Sequence, residues 1–415
     1  MKRIFTYIAS FIILITSLVI IRNKIGDLRP AILPPYDIPS LQQNEKGITG
    51  ENKSPPITPT ELSLRLPKGF RIEIFAKDLE KIRDLEFSPG GTLLASLTAQ
   101  GKIVALPDND NNGQADQILE ILSGIKNPHG LAFWQDKLYI AAETSVTRYI
   151  WDENSKKAVF DKKLFDIPPG GRHFTRSLDF DKKGNLYVSI GSSCDVCHEK
   201  NPWYGSVIKS DSEGVNPRIY AQGLRNAVFI TTHPQSQEVW ATEMGRDFLG
   251  DNLPPDEINI IEENKDYGWP VCFGKNIHDS SFDKTEYKII GKINVCNEFG
   301  KTPSYYDFEA HSAPLGLTFV ISDKYPKYWK NDLLVALHGS WNRSTPVGYK
   351  VIRLDVEDGK IIKMEDFIDG FLKGSQAIGR PVDLIFDTRG NLYISDDKAG
   401  RVYIAVYTPN GEKPK

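Results

Sequence analysis

A two-strand unit recurs six times along the chain, and this repeat constrains the fold more than any other feature. Each copy has a short apolar segment that ends in Phe, then a turn, then a strand of alternating apolar and polar residues. The copies cover residues 83–97, 129–142, 176–190, 225–243, 315–337 and 382–396. Their phenylalanines are separated by 46, 47, 49, 90 and 67 residues, so the later copies carry insertions. Such self-similarity indicates an array of one supersecondary unit.

The turns inside the copies carry the residues that tight hairpins need. The strings DKKGNLY, DTRGNLY and SPGGTLL supply Gly and Asn, which accept a positive φ. No copy shows helical periodicity. The 345 residues from 66 to 410 divide into six units of about 57 residues, near the upper range for four-stranded propeller blades. We therefore predict an all-β fold, a six-bladed β-propeller.

The amino-terminal part of the chain has a different character. Residues 4–21 are 18 uncharged residues with Lys or Arg on both sides. This segment is longer than the usual core of a signal peptide, and no small-x-small cleavage pattern follows it, which favours an uncleaved membrane anchor over a cleaved signal. Seven prolines among polar residues make 29–65 unable to form a core. We expect an anchor or signal segment at 1–28, a flexible Pro-rich linker at 29–65 and the propeller domain at 66–410.

Composition and cysteines narrow the class of protein further. With 51 Lys and Arg against 54 Asp and Glu, and no long basic run, nucleic acid is not an expected partner. The four cysteines all follow the export segment, which predicts disulfides. Three pairings are possible, and the simplest joins Cys194 to Cys197 and Cys272 to Cys296. We expect an exported protein, periplasmic or otherwise extracytoplasmic, held at the membrane by its first segment.

Aligning the copies reveals positively charged or titratable residues at one position of the predicted innermost strand. Four copies place such a residue there, namely Arg83, His129, Arg176 and Arg225. The last copy has Val382 at this position, with Arg380 two residues earlier. Equivalent positions lie at one height around a propeller channel, and gathered like charges repel unless an anion or acidic partners compensate them. This predicts a multiply anionic small ligand. The alternative is pairing of the arginines with acids of the same turns, Asp84, Asp179 and Asp383.

Several longer strings resemble a known family. They are GGRHFTRSLDF, GLRNAVF, GRDFLGDNLPPDEINIIEENKDYGWP, HSAPLGLTF, LLVALHGSWNRS and GRPVDLIFD. They are similar to the glucose/sorbosone dehydrogenase family over about residues 66–408, most closely to its sorbosone dehydrogenase-like branch. Members of established activity are six-bladed propellers that bind pyrroloquinoline quinone (PQQ) and Ca²⁺ and oxidise sugars. The resemblance implies oxidation of an aldose or sugar aldehyde and an external electron acceptor, a quinone or cytochrome. The three carboxylates of PQQ match the predicted anionic ligand.

The resemblance also implies roles for individual residues. His173 in GGRHF matches the general base that takes the proton of the sugar hydroxyl, a role that suits imidazole because its pKa lies near neutrality. Arg225 and Asn226 in LRNAV match a pair that contacts the cofactor, where a guanidinium can bind a carboxylate through two parallel bonds. Arg380 in GRPVD matches a further cofactor-facing arginine.

Two calcium sites follow from the same resemblance. Gly245 and Arg246 in EMGRD match the turn whose main-chain carbonyls hold the Ca²⁺ bound to PQQ. Glu257 in DEINII and Tyr267 in DYGWP resemble ligands of a second, structural Ca²⁺. Without the resemblance, these two residues could equally cap and pack a strand.

The chain departs from the family pattern at two positions. His338 in VALHGSW stands where a cofactor-binding Lys is expected, and Val382 stands in place of a second arginine. We hypothesise that His338, Arg343 and His129 replace the lost positive charge, with Arg176 as a further cofactor contact. If they do not, the fold has lost its cofactor and serves as a non-catalytic binding propeller. A Ca²⁺-dependent lactonase-like hydrolase is the other alternative, and it requires carboxylates that converge from several blades.

Two short motifs allow other interpretations. CDVCH (194–198) fits the C-x-x-C-H pattern of covalent haem, but it follows a blade strand without a helical domain, which favours a small disulfide loop. DNDNNGQAD (108–116) begins like a calcium loop, yet Leu119 stands where the bidentate acid belongs, so a polar hairpin turn is the simpler interpretation. Trp341 and Trp269 could stack on sugar faces or anchor strand ends.

Overall fold

The computed structural model describes residues 58–59, 63–285, 294–357 and 359–409. The predicted anchor at 1–28 and nearly all of the linker lie outside these residues. Within the described ranges, no helix has the length and apolar character needed to cross a membrane.

Six four-stranded antiparallel sheets make up the molecule, which confirms the predicted six-bladed β-propeller. A short pair precedes the ring, formed by β1 (Thr58–Pro59) and β2 (Arg65–Leu66). The strand β3 (Phe70–Ala76) then belongs to the last blade. Blade 1 contains β4 (Ile82–Phe87), β5 (Leu93–Leu97), β6 (Lys102–Leu106) and β7 (Leu119–Leu122). Blade 2 contains β8 (Gly130–Trp134), β9 (Lys137–Ala142), β10 (Ser145–Asp152) and β11 (Lys157–Asp166).

The remaining blades follow the same order, with insertions between them. Blade 3 contains β12 (Leu178–Phe180), β13 (Asn185–Ile190), β14 (Ser206–Asp211) and β15 (Arg218–Gln222). Blade 4 contains β16 (Ala227–Thr232), β17 (Val239–Glu243), β18 (Asp256–Ile261) and β21 (Tyr306–Phe308). Between β18 and β21 lie a hairpin, formed by β19 (Cys272–Phe273) and β20 (Ile277–His278), and the helix α1 (Val295–Glu298). Blade 5 contains β22 (Pro314–Phe319), β23 (Leu333–Leu337), β24 (Lys350–Glu357) and β25 (Lys360–Ile368).

The ring closes through the amino-terminal strand. After the hairpin β26 (Leu372–Lys373) with β27 (Gln376–Ala377), blade 6 contains β28 (Pro381–Phe386), β29 (Leu392–Asp396), β30 (Arg401–Tyr407) and β3. β3 pairs antiparallel with β30, in the register Ile72 to Ala405. Two 3₁₀ turns, Thr98–Gln100 and Lys327–Trp329, complete the described elements. Blade 6 is therefore built from both ends of the propeller sequence, which leaves no open gap in the ring.

The phenylalanine that ends each apolar segment packs blades against one another. In four copies its ring contacts an aromatic residue of the preceding blade. These pairs are Phe87 with Tyr393, Phe180 with Tyr139, Phe319 with Trp240 and Phe386 with Tyr325, with ring centroids 4.7–5.4 Å apart. Edge-to-face contacts of this kind add to the hydrophobic burial. The conspicuous Phe of the repeat is therefore a core residue between blades.

The acids of the innermost strands join neighbouring blades through the backbone. A carboxylate oxygen of one blade accepts a hydrogen bond from a main-chain N–H of the next. The pairs are Asp383 with Leu85 (2.8 Å), Asp84 with Leu131 (2.7 Å) and Asp179 with Thr232 (2.6 Å). The alternative in which these three acids form hydrogen-bonded pairs with the channel arginines is therefore wrong. The N–H groups between blades would otherwise be buried without an acceptor, which explains why Asp stands there.

Candidate active site

His173 lies in the segment that leads from blade 2 into β12, and its hydrogen bonds define its tautomer. Its Nδ1 lies 2.9 Å from Ser192 Oγ. The Ser192 hydroxyl donates its only hydrogen to the carbonyl oxygen of Cys194, at 2.6 Å, and can therefore only accept from His173. Nδ1 of His173 consequently carries the hydrogen, and Nε2 carries the lone pair. This is the form of imidazole that can take a proton at Nε2.

The surroundings of His173 keep it uncharged. Burial, together with the positive charges of Arg225 and Arg172, lowers the pKa of His173 from 6.5 to about 2. Its tautomer and its neutral state suit the general base that the sequence predicts, but so low a pKa makes Nε2 a weak base. The role therefore requires that the negative charge of a bound ligand raises this pKa. The side chain is half-buried, so the ring can meet a ligand.

Asn226 lies next to His173, separated by one glycine. A Cβ atom at Gly191 would lie 2.6 Å from both Asn226 Oδ1 and His173 Cβ, so no larger residue fits between them. Asn226 Oδ1 is buried and accepts no hydrogen bond from the protein. A buried amide oxygen without a hydrogen-bond donor from the protein suits a site where a ligand supplies that donor.

Arg225 is held on all sides by protein groups. Its Nη2 donates to Asp195 Oδ1 (2.6 Å) and Asp247 Oδ2 (3.1 Å), and its Nε donates to the carbonyl of Asp195 (3.0 Å). Nη1 donates to the carbonyl of Met244 at 3.1 Å. The sequence predicted that this guanidinium binds a cofactor carboxylate, and the structure gives its charge two aspartate partners instead. Neither aspartate was identified from the sequence, because each comes from a different loop.

Asp247 connects three loops above Arg225. One carboxylate oxygen accepts from Arg225 and from Arg172 Nη2 (2.8 Å), and the other accepts from Asn342 Nδ2 (2.9 Å). Asp247 therefore ties the segment that carries His173 to the loop that carries Trp341. Trp341 is 63% exposed and lies edge-on to Phe248, with centroids 6.0 Å apart. This pair gives the rim of the site an exposed aromatic face.

A second network joins blades 1, 5 and 6 around Asp397. Its two oxygens bind His338 Nε2 (2.9 Å) and Arg83 Nη1 (3.0 Å). His338 Nδ1 in turn lies 3.2 Å from Arg380 Nη1. Arg380 also donates to the carbonyls of Gly339 and Ser340 and to the Tyr349 hydroxyl, and its guanidinium stacks over the Tyr349 ring at 4.9 Å. Within the described residues, Arg380 has no carboxylate partner, so its positive charge is uncompensated.

The other residues predicted to contact the cofactor are buried or paired with other protein groups. His129 and Arg176 are fully buried, so neither presents a side-chain atom to an open cleft. His129 Nδ1 bonds the carbonyl of Arg176, while His129 Nε2 and two guanidinium nitrogens of Arg176 find no partner. Arg343 pairs with Glu309 (2.7 Å). Val382 is completely buried in the core of blades 4 and 5. Of the three proposed replacements for the lost charge, only His338 contacts Arg380.

The turn at Gly245 is fixed by a buried acid. Asp256 accepts from the N–H of Gly245 (2.9 Å) and, through its other oxygen, from that of Ala313 (2.8 Å). A Cβ at Gly245 would lie 2.6 Å from Pro254 Cγ, which explains the glycine. The Arg246 side chain points to Asp279, with a 2.8 Å ion pair. These contacts fix the turn, and the binding of a Ca²⁺ by its main-chain carbonyls stays a prediction.

A small cavity of about 20 Å³ lies beside this turn, and its charged lining consists of three acids, Glu243, Glu257 and Asp279, and two arginines, Arg225 and Arg246. Glu243 and Glu257 face each other across strands β17 and β18. Burial and Asp307 raise the pKa of Glu257 from 4.5 to about 7, and one Glu243 oxygen has no partner. The orphaned Glu243 oxygen and the room for one small ion suit a cation. The described side chains do not bring three metal-ligand atoms together here, so the structural Ca²⁺ stays a prediction. The sequence missed Glu243. The Tyr267 hydroxyl is instead occupied by Ile260 and Glu262 of the main chain.

Both predicted disulfides form, Cys194–Cys197 and Cys272–Cys296. Covalent haem at CDVCH needs free thiols at both cysteines, so the structure contradicts that alternative. Among the described residues, one group of three side chains could place metal ligands together, and it consists of these same disulfide-bonded cysteines with Glu199. Neither the DNDNNGQAD loop nor the inner-strand acids form such a group in the part of the chain that the structure describes.

Comparison with known proteins places the chain in a family. The model of the TrAA12-like family matches residues 64–408. An uncharacterized protein of Borreliella burgdorferi is 34% identical over 363 residues, covering 83% of this chain and 91% of that protein. A pyrroloquinoline quinone-dependent pyranose dehydrogenase of Coprinopsis cinerea is 34% identical over 405 residues, covering 82% of this chain and 54% of that enzyme. This chain therefore spans about half the length of the fungal enzyme.

The solved structures agree on the fold. The calcium structure of the Trichoderma reesei carbohydrate-active enzyme family AA12 superposes with a TM-score of 0.71 at 19% identity, over 86% of this chain and 98% of that one. None of these three proteins is named as a sorbosone dehydrogenase, so the branch suggested by the motifs stays a prediction. The chain belongs to the TrAA12-like family of propellers, which is related to the PQQ-dependent sugar dehydrogenases.

Proposed function

We propose that this protein oxidises an aldose, most simply a pyranose or a related sugar aldehyde, with PQQ as cofactor and Ca²⁺ as its metal, and with His173 as general base. The observation that carries the proposal is the tautomer of His173, uncharged with its lone pair at Nε2, next to the orphaned oxygen of Asn226. The PQQ-dependent pyranose dehydrogenase activity of the Coprinopsis relative supports the assignment of cofactor and substrate class.

The residues present suit an anionic quinone. Arg380 lacks a carboxylate partner and, with His338 beside it, would bind a carboxylate of PQQ, and Asn226 would bind a polar edge. The carbonyls of Gly245 and Arg246 would hold Ca²⁺. When bound, PQQ accepts a hydride from the sugar carbon, and Ca²⁺ makes the quinone a better acceptor.

The chain itself supplies the proton chemistry and the positioning. Ser192 holds the imidazole of His173 by its Nδ1–H, so that Nε2 takes the proton of the sugar hydroxyl. Arg172 and Arg225 favour the neutral ring before the reaction. Trp341 and Phe248 offer an aromatic face against which the apolar face of a pyranose can stack. Electrons then leave to an external acceptor, a quinone or a cytochrome.

The extracytoplasmic setting is part of the same proposal. Two disulfides form in the chain, and disulfides persist mainly in oxidising compartments. We infer an exported protein, and we propose that residues 1–28 anchor it at the membrane.

A dye-reduction assay with a panel of aldoses tests the function. The protein loaded with PQQ and Ca²⁺ should reduce the dye with at least one sugar, and His173→Ala should retain PQQ but lose turnover by a factor of about a hundred or more. Arg218→Ala, at an exposed ion pair on an outer strand, is the matched control. Equal turnover in His173→Ala would remove His173 as base. Absence of PQQ binding together with absence of oxidation of any sugar would indicate the binding propeller that has lost its cofactor.

A further inference from the structure

We propose that the disulfide loop 194–197 positions the active site, so that reduction of the Cys194–Cys197 disulfide alone weakens PQQ binding and proton transfer. The inference rests on the proposed function for its ligand, but its structural part concerns the chain alone. The loop binds Arg225 directly through Asp195 and reaches His173 through Ser192, whose hydroxyl donates to the Cys194 carbonyl.

The first contact fixes Arg225. Asp195 lies inside the four-residue ring that the disulfide closes. Its carboxylate accepts from Arg225 Nη2 at 2.6 Å and from the N–H of Asp247 at 2.9 Å. Its carbonyl accepts from Arg225 Nε at 3.0 Å and from the Trp269 indole at 3.3 Å. The side chain and the main chain of Asp195 therefore both accept hydrogen bonds from the guanidinium of Arg225. This requires Asp195 to keep a fixed backbone conformation.

The second contact fixes His173. The carbonyl of Cys194 accepts the hydroxyl hydrogen of Ser192, and this hydrogen bond is the reason that Ser192 can only accept from His173 Nδ1. If that carbonyl moves away, the Ser192 hydroxyl is free to turn and donate to His173. Nδ1 would then hold the lone pair, and Nε2 would hold the hydrogen and lose its basicity.

The two disulfides differ in accessibility. Cys194 and Cys197 are partly exposed, and His198 beside them is exposed. Cys272 and Cys296 are 3% and 0% exposed. A soluble dithiol therefore reaches the first disulfide before the second. In that exchange the Cys194–Cys197 bond breaks, two thiols form with two electrons and two protons from the dithiol, and the dithiol becomes a cyclic disulfide.

Opening the bond frees the loop without removing a single side chain from the site. Asp195 and the Cys194 carbonyl then keep their positions only through their hydrogen bonds, since the covalent closure is gone. The hydrogen bonds on the other side of the loop remain, because Ser193 donates its N–H and its hydroxyl hydrogen to the carboxylate of Glu199. The expected effect is a loosened site in a folded propeller.

The test compares the full chain in its oxidised form and after mild dithiol treatment. Differential alkylation and mass spectrometry first establish that only Cys194 and Cys197 are reduced. Hydrogen–deuterium exchange of the cofactor-free protein is then expected to rise in peptides that contain 172–173, 225–226 and 244–247, and to stay unchanged in outer strands. Titration with PQQ and Ca²⁺ should show binding about tenfold weaker in the reduced form.

Variants separate the two contacts. The double variant Cys194→Ser with Cys197→Ser should reproduce the reduced form without dithiol. Asp195→Asn should weaken PQQ binding and leave the thermal midpoint nearly unchanged. Asp195→Glu should not have the PQQ affinity of the parent, because the same residue must bind Arg225 with both its carboxylate and its main-chain carbonyl. Asp366→Asn, at a half-exposed ion pair with Lys350, is the control. In the reduced form the pH profile of kcat should also change shape, which a purely structural role would not cause.

The outcomes are distinguishable from failure of the proposed function. If the oxidised protein does not bind PQQ, the proposed function fails, and the exchange data still decide whether the loop is coupled to His173 and Arg225. Identical exchange and identical PQQ affinity in the oxidised, reduced and double-serine forms would overturn the inference.

Discussion

Asp397 binds His338 and Arg83 at once, with one oxygen 2.9 Å from His338 Nε2 and the other 3.0 Å from Arg83 Nη1. His338 belongs to blade 5 and Arg83 to blade 1, so a residue that follows the second strand of blade 6 joins the blades on either side of it. Burial lowers the pKa of His338, so the ring is neutral and contacts Arg380 through Nδ1. The positive charge of Arg83 is paired with Asp397, which leaves Arg380 as the cation of this network without a carboxylate partner among the described residues.

The first prediction concerns this network. His338→Ala and Arg83→Ala should each weaken PQQ binding about tenfold, because His338 accepts from Arg380 and Arg83 holds the Asp397 that orients His338. Their effects should not add in the double variant, since both act through Asp397. Calorimetric titration measures the affinities, and Arg218→Ala serves as control. Unchanged affinity in both single variants would mean that the network lies outside the cofactor site.

The second prediction concerns pH. Because Arg172 helps to hold the pKa of His173 below 6.5, the acidic limb of kcat/KM should lie below pH 6.5. Arg172→Ala removes one positive charge, so the pKa of His173 should rise and the acidic limb should move to higher pH. A profile of rate against pH for both proteins measures the displacement. A shift to lower pH, or none, would show that another group controls that limb.

The third prediction concerns the cavity beside Gly245. Ca²⁺ should raise the thermal midpoint of the protein by several degrees, as expected for a ligand that binds only the folded state, and chelation should reverse this. Glu257→Gln and Glu243→Gln should each reduce the Ca²⁺-dependent increase. Glu262→Gln, on the exposed end of the same strand, should retain it. An increase that persists in both cavity variants would place the stabilising ion elsewhere.

The fourth prediction concerns the hydrogen bonds by which inner-strand aspartates connect neighbouring blades. Burial raises the pKa of Asp179 from 3.8 to about 6, so its stabilising contribution is complete below pH 3.8 and is lost as the pH rises through 6. Asp179→Asn retains an acceptor for the Thr232 N–H and cannot ionise. It should be more stable than the parent at pH 8, by roughly 2 kcal/mol, and the gain should vanish near pH 4. Denaturant unfolding at both pH values measures it, and the exposed Asp323→Asn should show no such trend.

The fifth prediction concerns the aromatic rim. Trp341→Ala should raise the KM for the sugar several-fold with little change in kcat, because stacking holds substrate and transition state alike. Trp341→Phe should restore most of the affinity. Tyr328 is also strongly exposed but lies on the outer part of blade 5, so Tyr328→Ala should behave as the parent. Equal KM values in all variants would exclude Trp341 from the sugar site.

The repeat was sufficient to predict the propeller, because a six-fold pattern of Phe, turn and alternating strand has few other solutions. The closure by β3 was not foreseen, since FRIEIFA lies outside the copies that were aligned. The predicted disulfides also formed, because the pairs close in sequence are the pairs close in space.

A residue of the candidate site could be predicted only when the short sequence motif around it was itself informative. His173 and Asn226 come from different motifs, and the structure places them on either side of Gly191. Asp195, Asp247 and Asp397 were not identified because their roles arise from contacts between loops 22 to 314 residues apart in sequence. Alignment of the copies also placed His129 and Arg176 at the channel, whereas packing buries both completely.

The most direct test of the central claim is a calorimetric titration of the purified full chain with PQQ, with and without Ca²⁺. The account predicts one PQQ bound per chain, with tight binding only when Ca²⁺ is present. Absence of PQQ binding at every Ca²⁺ concentration would contradict it.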